Sequence, residues 1–262
     1  MAEESNRNII GIFIALLVIV IIAVVWWLRP GGGEDPVETT AVVTPAPAPT
    51  PTPGLEDRLS LRLAGTTLST SDAVVRELAA GLSANPKLAA WLVNEDLVRR
   101  FVTSVDNIAS GVSPQAQLEF LRPAKGFEVE VKGRDVFVVD PSSYHRYDHP
   151  ARVFASLDTA GTAALYRELK PLIDEAYAEI GPRGRSFDGR LDAAFDQLLA
   201  VPVLEGPVRV NQLVVTYAWA DEELEFLSSA QRHLLRMGPE NVSLIQGKLG
   251  GLRAALAAPP GE

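Results

Sequence analysis

The feature that most constrains this chain is an uncharged apolar run of 20 residues that begins at Ile9 and ends at Leu28. At the rise of an α-helix the run would extend roughly 30 Å, which matches the hydrocarbon thickness of a bilayer. Trp26 and Trp27 stand where an aromatic belt lies at a membrane interface, and Arg29 follows at the headgroup level. The run therefore predicts a transmembrane anchor, with the lipid bilayer as its partner.

A cleaved signal peptide is the alternative for this run. The apolar region of such peptides is about 7–15 residues long and ends in a small-residue cleavage site. Residues 9–28 are longer, and residues 26–29 contain no such site, so we expect an uncleaved anchor behind a cytoplasmic tail over residues 1–8. Each flank holds one arginine, which leaves the orientation nearly balanced. The short tail favours a bacterial inner-membrane protein with its C-terminal domain in the periplasm.

Residues 29–54 change abruptly to glycine, proline and threonine, and residues 44–53 read TPAPAPTPTP. Such a segment favours polyproline II and, at about 3.1 Å per residue, ten residues span roughly 30 Å. We expect a flexible linker over 29–54, a globular domain over 55–257 and a disordered tail over 258–262.

Charge and cysteine content exclude several classes of protein. Of the net charge of −9, two arginines against five acidic residues place −3 in residues 1–54, which leaves −6 on the rest. An acidic domain lacks the dense basic surface that nucleic acid requires, so no nucleic-acid partner is expected. The chain has no cysteine, which excludes disulfides and thiolate catalysis.

Helix signals dominate the globular region. At 85–86 and 113–114 an Asn or Ser is followed by Pro, which pairs an N-cap with the residue favoured at the first helical position. Asn94 is expected to start a further helix, and residues 228–231 form a capping box. The longest pattern of period 3.6 runs over 165–180, where Pro171, inside the pattern, predicts a kink or a break.

The pattern changes to alternation at residues 127–131, which predicts a half-buried strand. Gly133 is expected at the first central position of a tight turn before a second strand over 136–139. Residues 213–219 alternate again and offer a third strand. The expected fold class is mainly α (α+β): a transmembrane helix, a disordered Pro-rich stalk, and a helical domain with a small antiparallel β-hairpin or three-stranded sheet.

Five stretches carry a resemblance to a known family. They read LRPAKGFEV (121–129), DPSSYHRYD (140–148), FASLDTAG (154–161), YRELKPLIDEAYAE (166–179) and LRMGPENV (235–242). In this order they are similar to an uncharacterised group of bacterial, mostly proteobacterial, membrane-anchored proteins, known only as a domain of unknown function. The likeness covers roughly residues 70–257. It implies a bacterial envelope setting, and it transfers no activity or site residue.

The densest polar cluster is Tyr144, His145, Arg146, Tyr147, Asp148 and His149. On one helix the two histidines would share a face, with the aspartate as a third metal ligand. Pro150 biases the preceding residue away from helical geometry. The favoured interpretation is a polar loop that packs its tyrosines, so no metal and no cofactor is predicted.

Two short basic spots are candidates for anion binding: Arg122 with Lys125, and Arg183 with Arg185 ahead of a helix that starts near Ser186. Helix N-termini and arginine together hold phosphate or carboxylate groups. An ordinary solvated connection is the simpler interpretation of each spot.

The leading hypothesis is a membrane-tethered envelope module without a catalytic site, which binds a protein partner through an apolar or aromatic groove near Trp91, Tyr144, Tyr147 or Trp219. The alternative is a periplasmic enzyme or ligand-binding domain that acts on an anionic peptidoglycan- or lipid-derived component, through the cluster at 144–149 and the arginine loops. Common hydrolase and nucleotide-binding motifs do not occur in the sequence. The sequence leaves the oligomeric state open.

Overall fold

The computed structural model of the protein describes residues 59, 62–214 and 216–259. The α-helices are α1 (Asp72–Ala80), α2 (Pro86–Trp91), α3 (Leu97–Ala109), α4 (Ser142–His145), α5 (Asp148–Ala155), α6 (Thr159–Ile180), α7 (Phe187–Leu199), α8 (Glu222–Glu225), α9 (Ser229–Leu235) and α10 (Pro239–Ala257). The strands are β1 (Val129–Gly133), β2 (Val136–Val139), β3 (Arg209–Gln212) and β4 (Tyr217–Trp219). Short 3-10 helices lie at Leu68–Thr70, Pro114–Ala116 and Glu119–Leu121.

Local capping sets several helix boundaries as predicted. The side chain of Asn85 accepts a hydrogen bond from the backbone N–H of Lys87 at 3.1 Å, with proline at the first position of α2. Ser228 and Gln231 form the expected reciprocal capping box at the start of α9. The segment after Ser113 is different, because the Ser113 side chain makes no capping hydrogen bond and two short 3-10 helices follow it instead of an α-helix.

The longest helix continues past its internal proline. α6 has 22 residues, and Pro171 lies inside it. The predicted break is wrong, because the residues around the proline are held by packing. Leu169, Leu172 and Ile173 are all buried in a core that α6 forms with other helices. Packing of this face offsets the backbone hydrogen bond that proline cannot donate.

The sheet has four strands in the order β1-β2-β3-β4, and every neighbouring pair is antiparallel. This corrects the predicted β-hairpin or three-stranded sheet. β3 was not predicted because Arg209–Gln212 contains a single apolar residue, Val210. In the sheet, Val210 pairs with Phe137 on one side and with Trp219 on the other. The strand expected over 213–219 is reduced to its last three residues.

The first hairpin turns one residue later than predicted. Gly133 pairs with Val136 at the end of β1, so the two loop residues are Arg134 and Asp135. A bulge between Val131 and Gly133 shifts the register, and Asp135 takes the left-handed conformation with φ of 59°.

Two main cores lie side by side in the described region. Helices α1, α3, α6 and the start of α7 enclose the helical core, where Val102, Ile173 and Phe187 are almost completely buried. The sheet packs on α9 and α10 through residues that include Trp219 and Val242. A smaller cluster of buried side chains from α7 and α10 connects to both.

The predicted membrane anchor is corrected. Residues 9–28, with Trp26, Trp27 and Arg29, lie outside the described residues, as do 1–8 and 29–54. In the described part of the chain, no helix is long and apolar enough to cross a membrane. α6 has sufficient length, but it carries six charged residues between positions 167 and 179. We therefore withdraw the transmembrane helix from the fold class, and with it the single-pass inner-membrane location.

Candidate functional site

The polar residues 144–149 fold into a corner between two short helices. α4 ends at His145 and α5 begins at Asp148, so His145 and His149 lie on different helices. The spacing that would place both imidazoles on one helical face is therefore interrupted. Among the residues that the structure describes, no group of three or more His, Asp or Glu side chains is arranged to hold a metal ion.

Asp148 is the centre of this corner. Its Oδ2 lies 3.1 Å from Nδ1 of His145 and 3.5 Å from Nη2 of Arg152, and its Oδ1 accepts a hydrogen bond from Nδ2 of Asn241 at 3.1 Å. Burial would raise the pKa of the Asp148 carboxyl, but the hydrogen bonds from Asn241 and His145 lower it below its usual range. The carboxylate is charged and bound by protein groups.

The start of α10 closes over the corner. Gly238 has φ of +86°, and a Cβ at this position would overlap the side chain of Tyr144. Nδ2 of Asn241 lies 3.2 Å from the carbonyl oxygen of Tyr144 and 2.9 Å from that of Met237. Glycine is required here both for its backbone conformation and for the close approach of the ring.

The guanidinium group of Arg146 donates hydrogen bonds and also contacts two aromatic rings. Its Nε donates to the carbonyl oxygen of Ser143 at 2.7 Å, and Nη1 donates to that of Lys125 at 3.0 Å. The guanidinium carbon lies 5.7 Å from the ring centroid of Phe127 and 5.3 Å from that of Tyr147. Arg146 therefore connects the segment before β1, residues 125–127, to α4 and the turn that follows it, which is a structural role.

Three of the five stretches quoted above meet at this point, namely 121–129, 140–148 and 235–242. We call their junction, centred on residues 143–148, the polar corner. Its conspicuous side chains are largely used to hold β1, the α4–α5 turn and the start of α10 together.

The two basic spots are separate features. Arg122 pairs with Glu119 at 3.2 Å, and the backbone of Lys125 belongs to the polar corner. Arg183 and Arg185 lie in the loop between α6 and α7, beside the helical core. Among the described residues no hydrogen bond or ion pair joins the two spots.

An open cavity of about 450 Å³ lies among α6, α7 and α10. Its apolar lining includes Leu191, Phe195 and Leu256, and its polar lining includes Lys170 and Asp188. An apolar floor with a charged rim is the usual composition of a binding surface.

A hydrogen-bonded network runs along one side of this cavity. The hydroxyl of Tyr166 donates to Oδ1 of Asp188 at 2.5 Å. Lys170 lies 3.3 Å from Oδ2 of Asp188 and also contacts Asp174. Burial and the hydrogen bond to Asp188 raise the pKa of Tyr166, so its hydroxyl stays protonated. Burial opposes the charge on Lys170, but the two carboxylates outweigh it and raise the pKa of the amine.

The opposite side of the cavity is closed by arginines. Arg253 on α10 pairs with Asp196 at 2.8 Å and lies 3.6 Å from Asp192, both on α7. Nη2 of Arg167 donates to the carbonyl oxygens of Ala255 and Ala258 at 2.7 and 2.8 Å. These contacts fix the end of α10 against α6 and α7.

A second open cavity, of about 380 Å³, adjoins the first, and Lys170 lines both. The loop over residues 181–186, which we call the basic loop, forms its outer wall and contributes Arg183 and Arg185. Tyr177 lines it from α6. We call the two cavities together the helical groove.

The four aromatic residues that the sequence offered as alternative positions for a groove lie in different parts of the domain. Trp219 is only 4% exposed and lies in the core under the sheet. Trp91 packs on Phe120, with ring centroids 6.3 Å apart, while Tyr144 and Tyr147 belong to the polar corner. The helical groove instead lies among α6, α7 and α10.

Sequence reasoning missed most of the helical groove. Tyr166, Lys170 and Asp174 recur at four-residue steps along α6, which is a readable signal for one shared face. No such signal exists for Asp188 and Arg253, since their partners are distant in the chain.

One further polar pair lies away from the groove. Ser113 Oγ is 2.8 Å from Nδ1 of His233, and burial together with the charge of Arg236 lowers the pKa of this histidine. Ser229 Oγ accepts from the backbone N–H of Ser113 at 2.9 Å. The contacts join the loop after α3 to α9.

Comparison with known proteins places this chain in one family. A family model described as a protein of unknown function, DUF3014, matches residues 97–253, which is more than half of the chain. The match confirms the resemblance to a domain of unknown function, and it carries no statement on the source of the chain or on a membrane anchor. A search of curated proteins and a search of solved structures each find no match.

Proposed function

The chain belongs to the DUF3014 family, and we propose that its folded domain is a non-catalytic interaction module that binds a segment of a partner protein in the helical groove. The observation that supports this is the groove itself, formed by three helices that lie wholly or largely within residues 97–253.

The floor of the groove supports a polypeptide partner. Leu191 and Leu256 are partly buried beside Phe195, which is 5% exposed. These side chains form an apolar strip that a partner side chain can cover, and covering apolar area is the main source of binding free energy.

The rim supports the same proposal. Lys170, Asp188 and Arg253 each already have a partner of opposite charge within the domain. Such paired groups orient a partner through hydrogen bonds at the edge of the contact, while the apolar centre supplies affinity.

Site-specific photo-crosslinking tests the proposal. A photoreactive phenylalanine replaces Asp192 at the groove in the full chain, expressed in the cells from which it comes. A second variant carries it at Asn211, on the exposed surface of the sheet. We expect a discrete crosslinked partner from position 192 and none from position 211.

A matched pair of substitutions tests whether the partner binds in the helical groove. Ala257→Arg fills the mouth of the groove, whereas Ala254→Arg adds the same side chain to an exposed position of α10 outside it. We expect the crosslink at 192 to fall at least about tenfold with Ala257→Arg, the change that a loss of about 1.4 kcal/mol of binding free energy produces. Equal crosslinking in both variants would remove the groove as the binding surface.

A further inference from the structure

The second cavity of the helical groove has an excess of positive charge that the domain itself leaves unpaired. Arg183 and Arg185 are exposed, and neither forms an ion pair with any residue that the structure describes. Lys170 and Asp174, which also line the cavity, contact each other. Lys170 is paired with both Asp174 and Asp188, so the excess positive charge at this cavity comes from the two arginines of the basic loop, and it favours a negatively charged ligand.

The start of α7 adds backbone donors to the same place. α7 has 13 residues and begins at Phe187, directly after the basic loop. The side chain of Ser186 accepts from the N–H of Gly189 at a long 3.4 Å. The other N–H groups of a first helical turn have no partner within their helix, and the helix dipole makes this end attractive to anions.

A buried hydroxyl group beside the same cavity has no hydrogen-bond partner among the described residues. Tyr177 is only 3% exposed, it lines this cavity, and its hydroxyl has no hydrogen-bond partner among the described residues. Its ring lies edge-on to Phe187, with centroids 5.5 Å apart. The hydroxyl-bearing end of the ring lies directly under Gly181, the first residue of the basic loop.

An unpaired hydroxyl in the interior of a protein is rare, because removing it from water without a replacement partner is unfavourable. The ring of Tyr177 already packs in the helical core, so phenylalanine would fill the same space. A ligand oxygen at the base of the basic loop would supply the missing acceptor.

We propose that the cavity under the basic loop is an oxyanion site that takes a phosphoryl group, bound by Arg183, Arg185, the first N–H groups of α7 and the hydroxyl of Tyr177. Arginine forks, helix N-termini and hydroxyl donors are the groups that commonly bind phosphate. The inference deepens the proposed function, on which it rests for the assignment of the groove as a binding surface, by naming the chemistry of one group that the groove holds.

Titration of the purified full chain with inorganic phosphate tests the site without any partner. Amide signals of residues 186–188 are followed by ¹⁵N–¹H NMR, with sodium chloride adjusted to keep the ionic strength constant. We expect saturable shifts confined to the basic loop and the start of α7. Shifts that appear equally with chloride, or that never saturate, would overturn the site.

A double variant and a control variant distinguish a specific phosphate site from general electrostatic attraction. Arg183→Gln with Arg185→Gln removes both guanidinium groups and should weaken phosphate binding at least about tenfold. Arg134→Gln, at the exposed turn of the first hairpin, removes one distant charge and should change the affinity less than twofold. Equal weakening in all variants would show non-specific attraction and contradict the site.

Tyr177→Phe is the sharpest variant. It deletes only the hydroxyl, so the domain should unfold at the same temperature or higher, while the affinity for phosphate falls about fivefold or more. An unchanged affinity would exclude the hydroxyl from the site.

The source of the phosphoryl group is distinguished by a second titration, with N-acetyl-O-phosphoserine amide. Binding at least as tight as that of inorganic phosphate supports a phosphorylated partner segment, and tighter binding of inorganic phosphate supports the free ion. Because neither titration contains a partner protein, failure here would leave the crosslinking test of the groove unaffected.

Discussion

The polar corner and the basic loop are both places where arginine, tyrosine and a helix end come together, yet they differ in how their polar groups are satisfied. In the corner, Arg146 has two carbonyl acceptors and two aromatic rings around it. In the loop, Arg183 and Arg185 face solvent without a carboxylate partner in the described region. The arginine of the corner is therefore satisfied by groups of the protein, whereas the two guanidinium groups of the loop have no carboxylate partner among the described residues.

The difference shows that a dense run of polar residues is a poor guide to a binding site. A buried polar group must find a partner, and in the corner the partners come from the protein itself. Where they do not, as at the hydroxyl of Tyr177, a ligand becomes the natural candidate. Four predictions test this contrast, from the largest expected effect on stability to the smallest.

Gly238→Ala should be the most damaging change in the corner. The added Cβ overlaps Tyr144, and the backbone conformation at φ of +86° is strained for any other residue. We expect a loss of about 3 kcal/mol or more in the free energy of unfolding, measured by urea denaturation. Gly250→Ala, in the same helix with open space around it, should instead stabilise by about 0.5–1 kcal/mol. Similar behaviour of the two variants would show that α10 does not close on the corner.

The second largest loss of stability is expected from Asn241→Ala. Asn241 is 5% exposed, and its amide lies within hydrogen-bond distance of Asp148 and of two backbone carbonyls. Leaving those acceptors unpaired should lower the free energy of unfolding by about 2–3 kcal/mol, measured in the same way. Asn211→Ala, on the exposed surface of the sheet, serves as control and should change it by less than about 0.5 kcal/mol.

A pair of arginine substitutions addresses the contrast directly. Arg146→Gln removes the carbonyl contacts and the ring stacking, and should lower the free energy of unfolding by about 1.5 kcal/mol. Arg183→Gln should change it by less than about 0.5 kcal/mol, because this side chain is exposed and unpaired. Equal losses, read from urea midpoints, would mean that the loop is also held by structural contacts.

The smallest effect on the free energy of unfolding is expected from protonation of Asp148 at low pH. The pKa of Asp148 is lower in the folded protein than in the unfolded chain, so the folded state binds fewer protons there. Its contribution is therefore present above the unfolded pKa, near 3.9, and is lost as the pH falls through the folded pKa. Asp148→Asn should be less stable than the parent at pH 7 by below about 1 kcal/mol, since solvent screens a partly exposed carboxylate.

The check on this prediction is a pair of unfolding curves at pH 7 and at pH 3. The difference in the free energy of unfolding between the parent protein and Asp148→Asn should be smaller at pH 3 than at pH 7. A constant difference would show that the charge of Asp148 does not stabilise the corner.

Local sequence signals predicted much of the helical structure, because caps act within a few residues. Asn85 and Ser228 each mark a helix start that the structure confirms. The start of α3 was predicted at Asn94 but lies three residues later, at Leu97. Its first N–H groups are capped by Asp72 of α1, with Oδ1 2.9 Å from N of Leu97. A cap supplied from another helix leaves no local signal.

The sheet and the groove were less predictable for a related reason. β3 is recognisable only through its partners, since its strand identity depends on pairing with β2 and β4 rather than on its own alternation. The groove depends on Asp188 and Arg253, which approach Tyr166 and Asp196 only after three helices have packed.

By itself, the sequence determined the mainly helical class, most cap-defined helix boundaries, the first β-hairpin and membership of the family. Those properties follow from period, turn chemistry and neighbouring residues. The tertiary structure decided which polar residues are satisfied within the domain and which face an open cavity. Hydrogen bonds and ion pairs act over a few ångströms between residues that are tens of positions apart, so only the packed chain separates the polar corner from the basic loop.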